Sequence, residues 1–324
     1  MPRAKSPPAP DYGALATEAI NPRAEHLDTL PAEEVVKLMV EEEAASVRAV
    51  RARSKEVAQA ASLIAERLAA GGRLVYVGAG TSGRLGVLDA SECVPTFGVP
   101  PSLVVGIIAG GPVALTRSVE GAEDSAREAE QRLRRVAVGP ADAVCCIAAS
   151  GVTPFSRAAL EYARFRRAAT IFVTCGRMPR PGTPEAPRAD VLIELATGPE
   201  VISGSTRLKA GTATKLVLNA LSTTAFVLLG KTYGGLMVDV RPTNAKLWAR
   251  AARIVTRLTG LDEDDALKLL KKAGGRAKVA LVMHHARVNV ARARELLIQH
   301  KGSLRAIVGD IDVDVPVRRG GAGA

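Results

Sequence analysis

The feature that most constrains the fold is an apolar run, Leu74–Val77, which leads directly into a glycine-rich turn, GAGTSG. The run is typical of a buried strand, and the residues after the turn have helical spacing. A strand, a glycine turn and a helix in this order can bind an anion, because the glycines let backbone N–H groups approach it and the helix dipole favours negative charge. The turn predicts a phosphate site, with a purely structural tight turn as the alternative.

Two nucleotide-binding motifs come close to this turn, and neither is complete. The spacing G-x-G-x-x-G matches the dinucleotide fingerprint, which also needs an acidic residue at the end of the next strand. The next apolar run, residues 102–109, ends in two glycines instead. A P-loop would need Lys and then Ser or Thr after Gly83, where this sequence has Arg-Leu. The remaining side-chain donors, Thr81 and Ser82, suit a compact phosphomonoester such as a sugar phosphate.

Apolar runs alternate with helical segments between residues 73 and 195. This alternation predicts a doubly wound α/β domain, with a parallel five-stranded sheet flanked by helices. In such folds ligands bind at the carboxyl ends of the strands. The predicted strands are residues 74–77, 102–109, 143–149, 169–174 and 191–195, and the predicted helices between them are 84–92, 123–136 and 154–167.

The rest of the chain is predicted to be mainly helical. A helix start at Pro31 and helical spacing from 46 to 70 lead into the first strand, and a long helix at 207–229 follows the last. Four further helices are predicted at 244–259, 262–272, 276–286 and 289–300. We therefore expect a disordered leader at 1–15, a sugar-phosphate domain at 16–240, a small C-terminal helical module at 241–310 and a tail at 311–324.

The charge balance is strongly basic, with 44 Lys and Arg against 33 Asp and Glu, or +11. Such a charge can indicate nucleic-acid binding. The basic residues are scattered among glutamates, however, and no basic run is interleaved with aromatic residues. An anionic small substrate is favoured over nucleic acid.

The four cysteines lack disulfide or metal spacing, and two of them are adjacent within an apolar run. They are predicted to be buried free thiols in a reducing compartment. The N-terminal residues have no apolar signal core, and no stretch of eighteen apolar residues occurs. We expect a cytoplasmic protein that does not bind membranes.

A second turn of the same kind follows the strand predicted at 143–149. It contains Ser150, Gly151 and Thr153, and a proline then opens the next helix without loss of a hydrogen bond. Two such turns after parallel strands can converge on one phosphate. A third candidate is the segment SGST with Ser205, followed by Lys209 in the first turn of the long helix. For these two residues an N-cap and a solvated side chain are equally supported alternatives.

Two pairs of carboxylates are candidates for acid–base chemistry. Asp89 and Glu92 are three residues apart, as are Glu120 and Glu123. The pattern alone favours an ordinary first-turn helix acid for Glu123. Glu92 stands beside the apolar residues Cys93, Val94, Pro95 and Phe97, and a carboxylic acid in apolar surroundings can act as a general acid. The histidines do not form a metal cluster, so no metal site is predicted.

Four segments, taken in order, closely resemble the N-acetylmuramic acid 6-phosphate etherases of the sugar isomerase (SIS) superfamily. They are GAGTSGRLGVLDASECVPTFGV, IAGGPVALTRSVEGAEDS, AASGVTPF and GPEVISGSTRLKAGTATKLVLNALST. The segments TEAINPRAEHLDTLP and MVDVRPTNAKL are also similar to that family, so the resemblance covers roughly residues 16 to 300. The segment MVEEE at 39–43 is more acidic than its family counterpart, and we assign it no role.

The resemblance implies a homodimeric, cytoplasmic lyase with a SIS-type sheet and without a metal or redox cofactor. Such a lyase converts N-acetylmuramic acid 6-phosphate into N-acetylglucosamine 6-phosphate and D-lactate during recycling of cell-wall sugars. By motif, Glu92 in DASE matches the proton-donor glutamate and Glu123 in EGAED the second active-site glutamate. Thr81, Ser82, Ser150 and Thr153 lie where SIS domains hold the phosphate.

The residue types suit this chemistry. An ether oxygen leaves readily only when it is protonated, which requires an acid. Once the sugar opens to its aldehyde, a carboxylate can remove the C2 proton, lactate is eliminated, and water adds to the unsaturated intermediate. Two alternatives stay open, namely a non-catalytic SIS regulator of a protein partner and a phosphosugar isomerase.

Overall fold

The computed structural model of the chain describes residues 13, 15–179, 182–183 and 186–311. Apart from residues 13, 15 and 311, the predicted leader and tail lie outside the described residues.

A five-stranded parallel sheet forms the centre of the first part of the chain, with strand order β2-β1-β3-β4-β5. Every residue of β1, β3 and β4 is buried. Continuous apolar runs are typical of parallel strands that are covered on both faces, and the predicted α/β fold class is confirmed. The strands are β1 (Leu74–Gly78), β2 (Val104–Ile108), β3 (Ala143–Ile147), β4 (Ala169–Thr174) and β5 (Val191–Glu194).

Eleven α-helices occur among the described residues, and most begin and end within a few residues of the predicted bounds. Two helices differ from the prediction. Helix α3 begins at Gly80, inside the glycine-rich turn, and α11 lies in a segment for which the sequence predicts no helix. The helices are α1 (Ala32–Ala52), α2 (Ser54–Ala69), α3 (Gly80–Phe97), α4 (Ala126–Arg135), α5 (Pro154–Phe165), α6 (Lys209–Leu228), α7 (Ala245–Thr259), α8 (Glu263–Lys272), α9 (Ala277–His285), α10 (Val290–Gln299) and α11 (Leu304–Val308).

The lead-in segment contains two helices, separated at Arg53, where φ is −112° and ψ is 21°. The Arg53 guanidinium donates from Nε to the carbonyl oxygen of Glu194 at 2.9 Å and pairs with Glu56 at 3.2 Å. No proline or glycine marks this position, so the break has no local sequence signal.

The residues form two compact units. The first comprises the described residues of Met1–Ser91 and Pro101–Ala225 and contains the sheet. The second comprises those of Glu92–Pro100 and Phe226–Ala324 and has its own apolar core, which includes Val255, Leu270 and Leu281. The predicted helical module at 241–310 falls within the second unit, and its boundaries as a domain stay a prediction.

A partly buried ion pair joins the segments that precede β1 and β3. Asp142 accepts hydrogen bonds from the backbone N and Nε of Arg73, both at 3.0 Å, from NH2 of Arg73 at 2.8 Å and from the backbone N of Gly139 at 3.1 Å. Burial alone would raise the pKa of the Asp142 carboxyl. The hydrogen bonds from Arg73 and Gly139 outweigh burial and lower this pKa below its ordinary value.

We expect Asp142→Asn to lower the free energy of unfolding by about 2 kcal/mol at neutral pH, less than for a fully buried pair because Arg73 is partly exposed. A lowered pKa in the folded state means that the stabilisation is complete above the ordinary carboxyl value of about 4 and is lost as the pH falls through the lower folded value. Urea unfolding at pH 7, at about pH 4 and at about pH 2 measures this: the difference between the variant and the unmodified protein should be full at pH 7 and should shrink as the pH falls below 4. Glu130→Gln, at an exposed position of α4, is the control. A constant difference across this pH range would contradict the assignment.

Candidate functional site

A cavity of about 450 Å³ lies at the carboxyl ends of β1 and β3. The strand order changes direction between these two strands, and open α/β sheets bind ligands at such a switch point. The turns after both strands line the cavity with their hydroxyl-bearing residues. The lining residues from these turns are Ala79, Gly80, Thr81, Ser82, Ala149, Ser150, Val152, Thr153 and Pro154.

The first turn places the start of α3 at the cavity. Gly80 has a φ of +52°, Thr81 is half-buried and Ser82 is buried. No acidic residue lies in the first turn of α3, so its positive dipole end is not neutralised locally. Gly83 allows the close approach of helix and strand, because a Cβ there would lie 2.5 Å from the carbonyl oxygen of Gly78. The turn thus places two hydroxyls and the N-terminal N–H groups of α3 together, and such groups bind a phosphate.

The second turn repeats this arrangement at the start of α5. Gly151 has a φ of +79°, which favours glycine, and the Ser150 hydroxyl accepts a hydrogen bond from the backbone N of Val152 at 3.4 Å. Thr153 is the N-cap residue of α5, and its side chain makes no capping hydrogen bond. Gly83 and Gly151 shape the two turns and do not themselves line the cavity.

The third predicted loop contributes to the cavity through Gly204 and Thr206, whereas Ser205 and Lys209 do not line it. The helix after this loop differs from α3 and α5 in one respect. The Glu200 carboxylate accepts hydrogen bonds from the backbone N of Lys209 and of Ala210, each at 2.9 Å. The protein's own acid therefore occupies these two N–H groups at the start of α6, and the role of this loop in phosphate binding stays a prediction.

The alternative of a solvated side chain is wrong for Lys209, and its predicted part in phosphate binding stays a prediction. Its side chain is only 4% exposed, and its Nζ forms an ion pair with Glu42. Glu42 also accepts hydrogen bonds from Asn21 Nδ2 at 2.8 Å and from Arg23 NH1 at 2.9 Å. Burial would raise the pKa of Glu42, but the hydrogen bonds from Lys209 and Asn21 outweigh burial and lower it. The acidic segment MVEEE thus contains an anchoring carboxylate that sequence reasoning missed.

Glu123 and Asp124 line the cavity from a short 3-10 turn, Ala122–Asp124, between β2 and α4. Glu123 is a first-turn acid of this short 3-10 helix and not of α4, which begins only at Ala126. Ser125 is the N-cap of α4, and its hydroxyl accepts a hydrogen bond from the backbone N of Glu128 at 3.2 Å. Both carboxylates are exposed and reach the cavity from a segment outside α4.

Glu92 lies in α3, has an exposed side chain, and is not among the described residues that line the cavity. Cys93 and Phe97, two of its apolar neighbours in the sequence, are buried, whereas the side chain of Glu92 points to solvent. The apolar surroundings expected for Glu92 are therefore not found. Consecutive helical residues project in different directions, which separates an exposed side chain from a buried one beside it.

Asp89, which the sequence pairs with Glu92 as a candidate for acid–base chemistry, makes structural hydrogen bonds within the first unit. It is buried and accepts hydrogen bonds from Tyr76 Oη at 2.9 Å and from Ser222 Oγ at 3.3 Å. Burial raises the pKa of Asp89, while Tyr76, Ser222 and Lys215 at 3.8 Å act to lower it. The carboxylate holds β1, α3 and α6 together.

Three further properties of the described part of the chain concern its cysteines, its metal-ligating side chains and its helices. All four cysteines are free and buried, as predicted. In the described ranges no group of three or more His, Cys, Asp or Glu residues could hold a metal ion. None of the helices that the structure describes is both long and apolar enough to cross a bilayer.

Comparison with known proteins identifies the family of the chain. Residues 56–164 match the family model described as the glucokinase regulatory protein N-terminal SIS domain. An N-acetylmuramic acid 6-phosphate etherase of Gloeobacter violaceus is 54% identical over 275 residues, covering 85% of this chain and 89% of the relative. That of Rubrobacter xylanophilus is 50% identical over 298 residues, with 92% and 97% covered. That of Rhodopirellula baltica is 46% identical over 294 residues, with 91% and 96% covered. With such identity over most of its length, the chain belongs to the N-acetylmuramic acid 6-phosphate etherase family.

Proposed function

We propose that the protein is a lyase that cleaves the D-lactyl ether of N-acetylmuramic acid 6-phosphate. The products are N-acetylglucosamine 6-phosphate and D-lactate, and the reaction serves the recycling of cell-wall amino sugars. One observation carries the proposal: a chain of the etherase family has a cavity where two phosphate-type turns and the Glu123 carboxylate meet.

The 6-phosphate binds to the two turns in this proposal. Thr81, Ser82, Ser150 and Thr153 supply hydroxyls, and the first turns of α3 and α5 supply backbone N–H groups and their positive dipole ends. Binding of this remote group orients the sugar, and the binding energy is available for the reaction at the other end of the molecule. Thr81 and Ser82 remain in the phosphate set, whereas we leave Lys209 out because Glu42 already pairs with its ammonium group.

The chemistry requires one group to remove the C2 proton and one to protonate the departing ether oxygen. The electron pair of the C2–H bond forms the new double bond as the neighbouring carbon–oxygen bond breaks, and lactate leaves with the added proton. Water then adds across the double bond. We assign these roles jointly to Glu123, which lines the cavity, and to Glu92, which is included because of its motif DASE. The proposed reaction uses no metal or redox cofactor.

We also propose a cytoplasmic homodimer. Support for the second subunit comes from α1, where Val36, Val40 and Val47 are 60%, 68% and 58% exposed. Their spacing places these three side chains within about 40° of one another around the helix. An exposed apolar stripe of this kind is a surface that oligomers bury.

Incubating the purified protein with N-acetylmuramic acid 6-phosphate tests the function directly. We expect D-lactate and N-acetylglucosamine 6-phosphate in equal amounts, and a much lower rate with unphosphorylated N-acetylmuramic acid because the phosphate contacts are then missing. Binding of the sugar phosphate without any product would instead support a regulatory SIS protein. A ketose phosphate formed without lactate would support an isomerase.

A further inference from the structure

A third segment of the cavity wall comes from the N-terminal part of the chain. Residues 15–19, which we call the strap, contribute Leu15, Thr17 and Glu18 to the lining. Neither hydroxyl-glycine turn includes these residues, and the proposed chemistry does not use them. Thr17 and Glu18 nevertheless line the same cavity as Glu123.

The strap is fixed by its backbone. The backbone N of Gly204 donates to the carbonyl oxygen of Thr17 at 3.0 Å. The Ser203 hydroxyl lies 2.7 Å from the carbonyl oxygen of Glu18 and 3.3 Å from that of Ala19. Just beyond the strap, Asn21 is held by Glu42 at 2.8 Å. These contacts are made by the main chain of the strap, so the side chains of Thr17 and Glu18 are not needed to hold it in place.

The Thr17 side chain carries an unsatisfied polar atom. Thr17 is only 2% exposed, and its Oγ1 has no hydrogen-bond partner among the described residues. A buried hydroxyl without a partner loses its hydration without compensation, so native proteins rarely retain one. A hydroxyl of this kind in the wall of a ligand cavity points to a partner on the ligand.

The exposed Glu18 side chain places its carboxylate beside Gly204. A Cβ at Gly204 would lie 2.8 Å from Glu18 Oε2, so the absence of a side chain there lets the carboxylate lie over the loop. Among the described residues, no hydrogen bond or ion pair engages this carboxylate. Together with Glu123 and Asp124 it gives the cavity three carboxylates beside its hydroxyl-bearing turns.

The negative charge of Glu18 indicates which part of a ligand the strap can contact. A carboxylate repels a phosphate and accepts hydrogen bonds from hydroxyl and amide N–H groups. A threonine hydroxyl can donate or accept. The strap is therefore suited to the neutral end of a sugar phosphate.

We propose that Thr17 and Glu18 bind the hydroxyl and amide groups of an N-acetylated hexose phosphate and so determine which sugar is accepted. This assignment rests on the proposed function for the identity of the sugar. In this proposal the strap recognises the sugar, whereas the two turns bind its phosphate.

Ligand titrations with the full chain test the proposal, using N-acetylglucosamine 6-phosphate and inorganic phosphate as probes. Thr17→Val and Glu18→Ala should each weaken the sugar phosphate about tenfold, the effect of one lost hydrogen bond, and should change phosphate affinity less than about twofold. Thr17→Ser should restore the sugar affinity. Thr116→Val, at an exposed position that does not line the cavity, is the matched control.

Thermal unfolding separates recognition from a merely structural role. Thr17→Val removes a hydroxyl that has no partner among the described residues, so its unfolding temperature should not fall. A lower unfolding temperature together with weaker binding of both probes would overturn the proposal, as would unchanged sugar affinity in both variants. The result is independent of catalysis: selective loss of sugar affinity in a protein that releases no lactate would leave the strap assignment intact and refute the lyase.

Discussion

Replacing Glu123 by glutamine is expected to slow lactate release from N-acetylmuramic acid 6-phosphate by about 10²–10⁴-fold, the range typical of losing one general acid or base. Glutamine has the size of glutamate but neither removes nor delivers a proton. Glu123 is exposed, so the substitution should leave the fold intact. Steady-state assays of lactate measure the rate, and titration with N-acetylglucosamine 6-phosphate should give an affinity within about threefold of the unmodified protein, since transition-state stabilisation and ground-state binding are separate quantities.

A matched control lies three residues earlier. Glu120 is also exposed but does not line the cavity, so Glu120→Gln should retain nearly full activity. Equal losses in the two variants would show that negative charge in this segment matters rather than a proton-transferring group. Glu92→Gln should lose activity to an extent similar to Glu123→Gln, and near-normal turnover in that variant would remove Glu92 from the proposed pair.

Gly83→Ala is the substitution with the largest expected effect on the turn itself. A Cβ at this position would lie 2.5 Å from the carbonyl oxygen of Gly78 and 2.7 Å from Cγ1 of Ile108. Only a shift of α3 away from the end of β1 can relieve these contacts. We expect the free energy of unfolding to fall by about 2–3 kcal/mol, as in other overpacked sites, and phosphate affinity to fall with it. Urea unfolding and titration with inorganic phosphate measure the two effects.

Gly139→Ala serves as the comparison for this prediction. It lies in the same unit, its φ is not positive, and a Cβ there would meet only the carbonyl oxygen of Ala137, at 4.0 Å. Its effect on stability should stay within about 0.5 kcal/mol. A Gly83→Ala variant as stable as Gly139→Ala would mean that the first turn tolerates a side chain, and the close-approach account of the turn would be wrong.

The sheet and most helices could be predicted because their signals are local. Apolar runs bounded by polar turns placed all five strands within a few residues, and both hydroxyl-glycine turns are recognisable from their own sequence. The convergence of the turns follows from parallel strand order, since the carboxyl ends of neighbouring strands meet at one edge.

The remaining parts depend on contacts that no local pattern encodes. Lys209 lies 167 residues from Glu42, and the sequence shows a lysine in a helical first turn whether it is buried or solvated. The start of α4 illustrates a second limit. The run EGAEDS contains several residues that could begin a helix, and Ser125, whose hydroxyl accepts from the backbone N of Glu128, is the one that caps α4 and leaves Glu123 outside it. Thr17 and Glu18 have no periodic pattern that would assign them to the cavity.

The buried thiols give each unit its own chemical reporter. Cys145, Cys146 and Cys175 lie in the first unit and Cys93 in the second. Burial raises the pKa of Cys175 to about 12, and burial likewise raises those of Cys145 and Cys146, so thiolate is scarce in the folded state. Alkylation then requires opening of the surrounding structure. Mass spectrometry of the alkylated positions across a denaturant series would therefore show, without any introduced label, whether the two units open in one cooperative step or in succession.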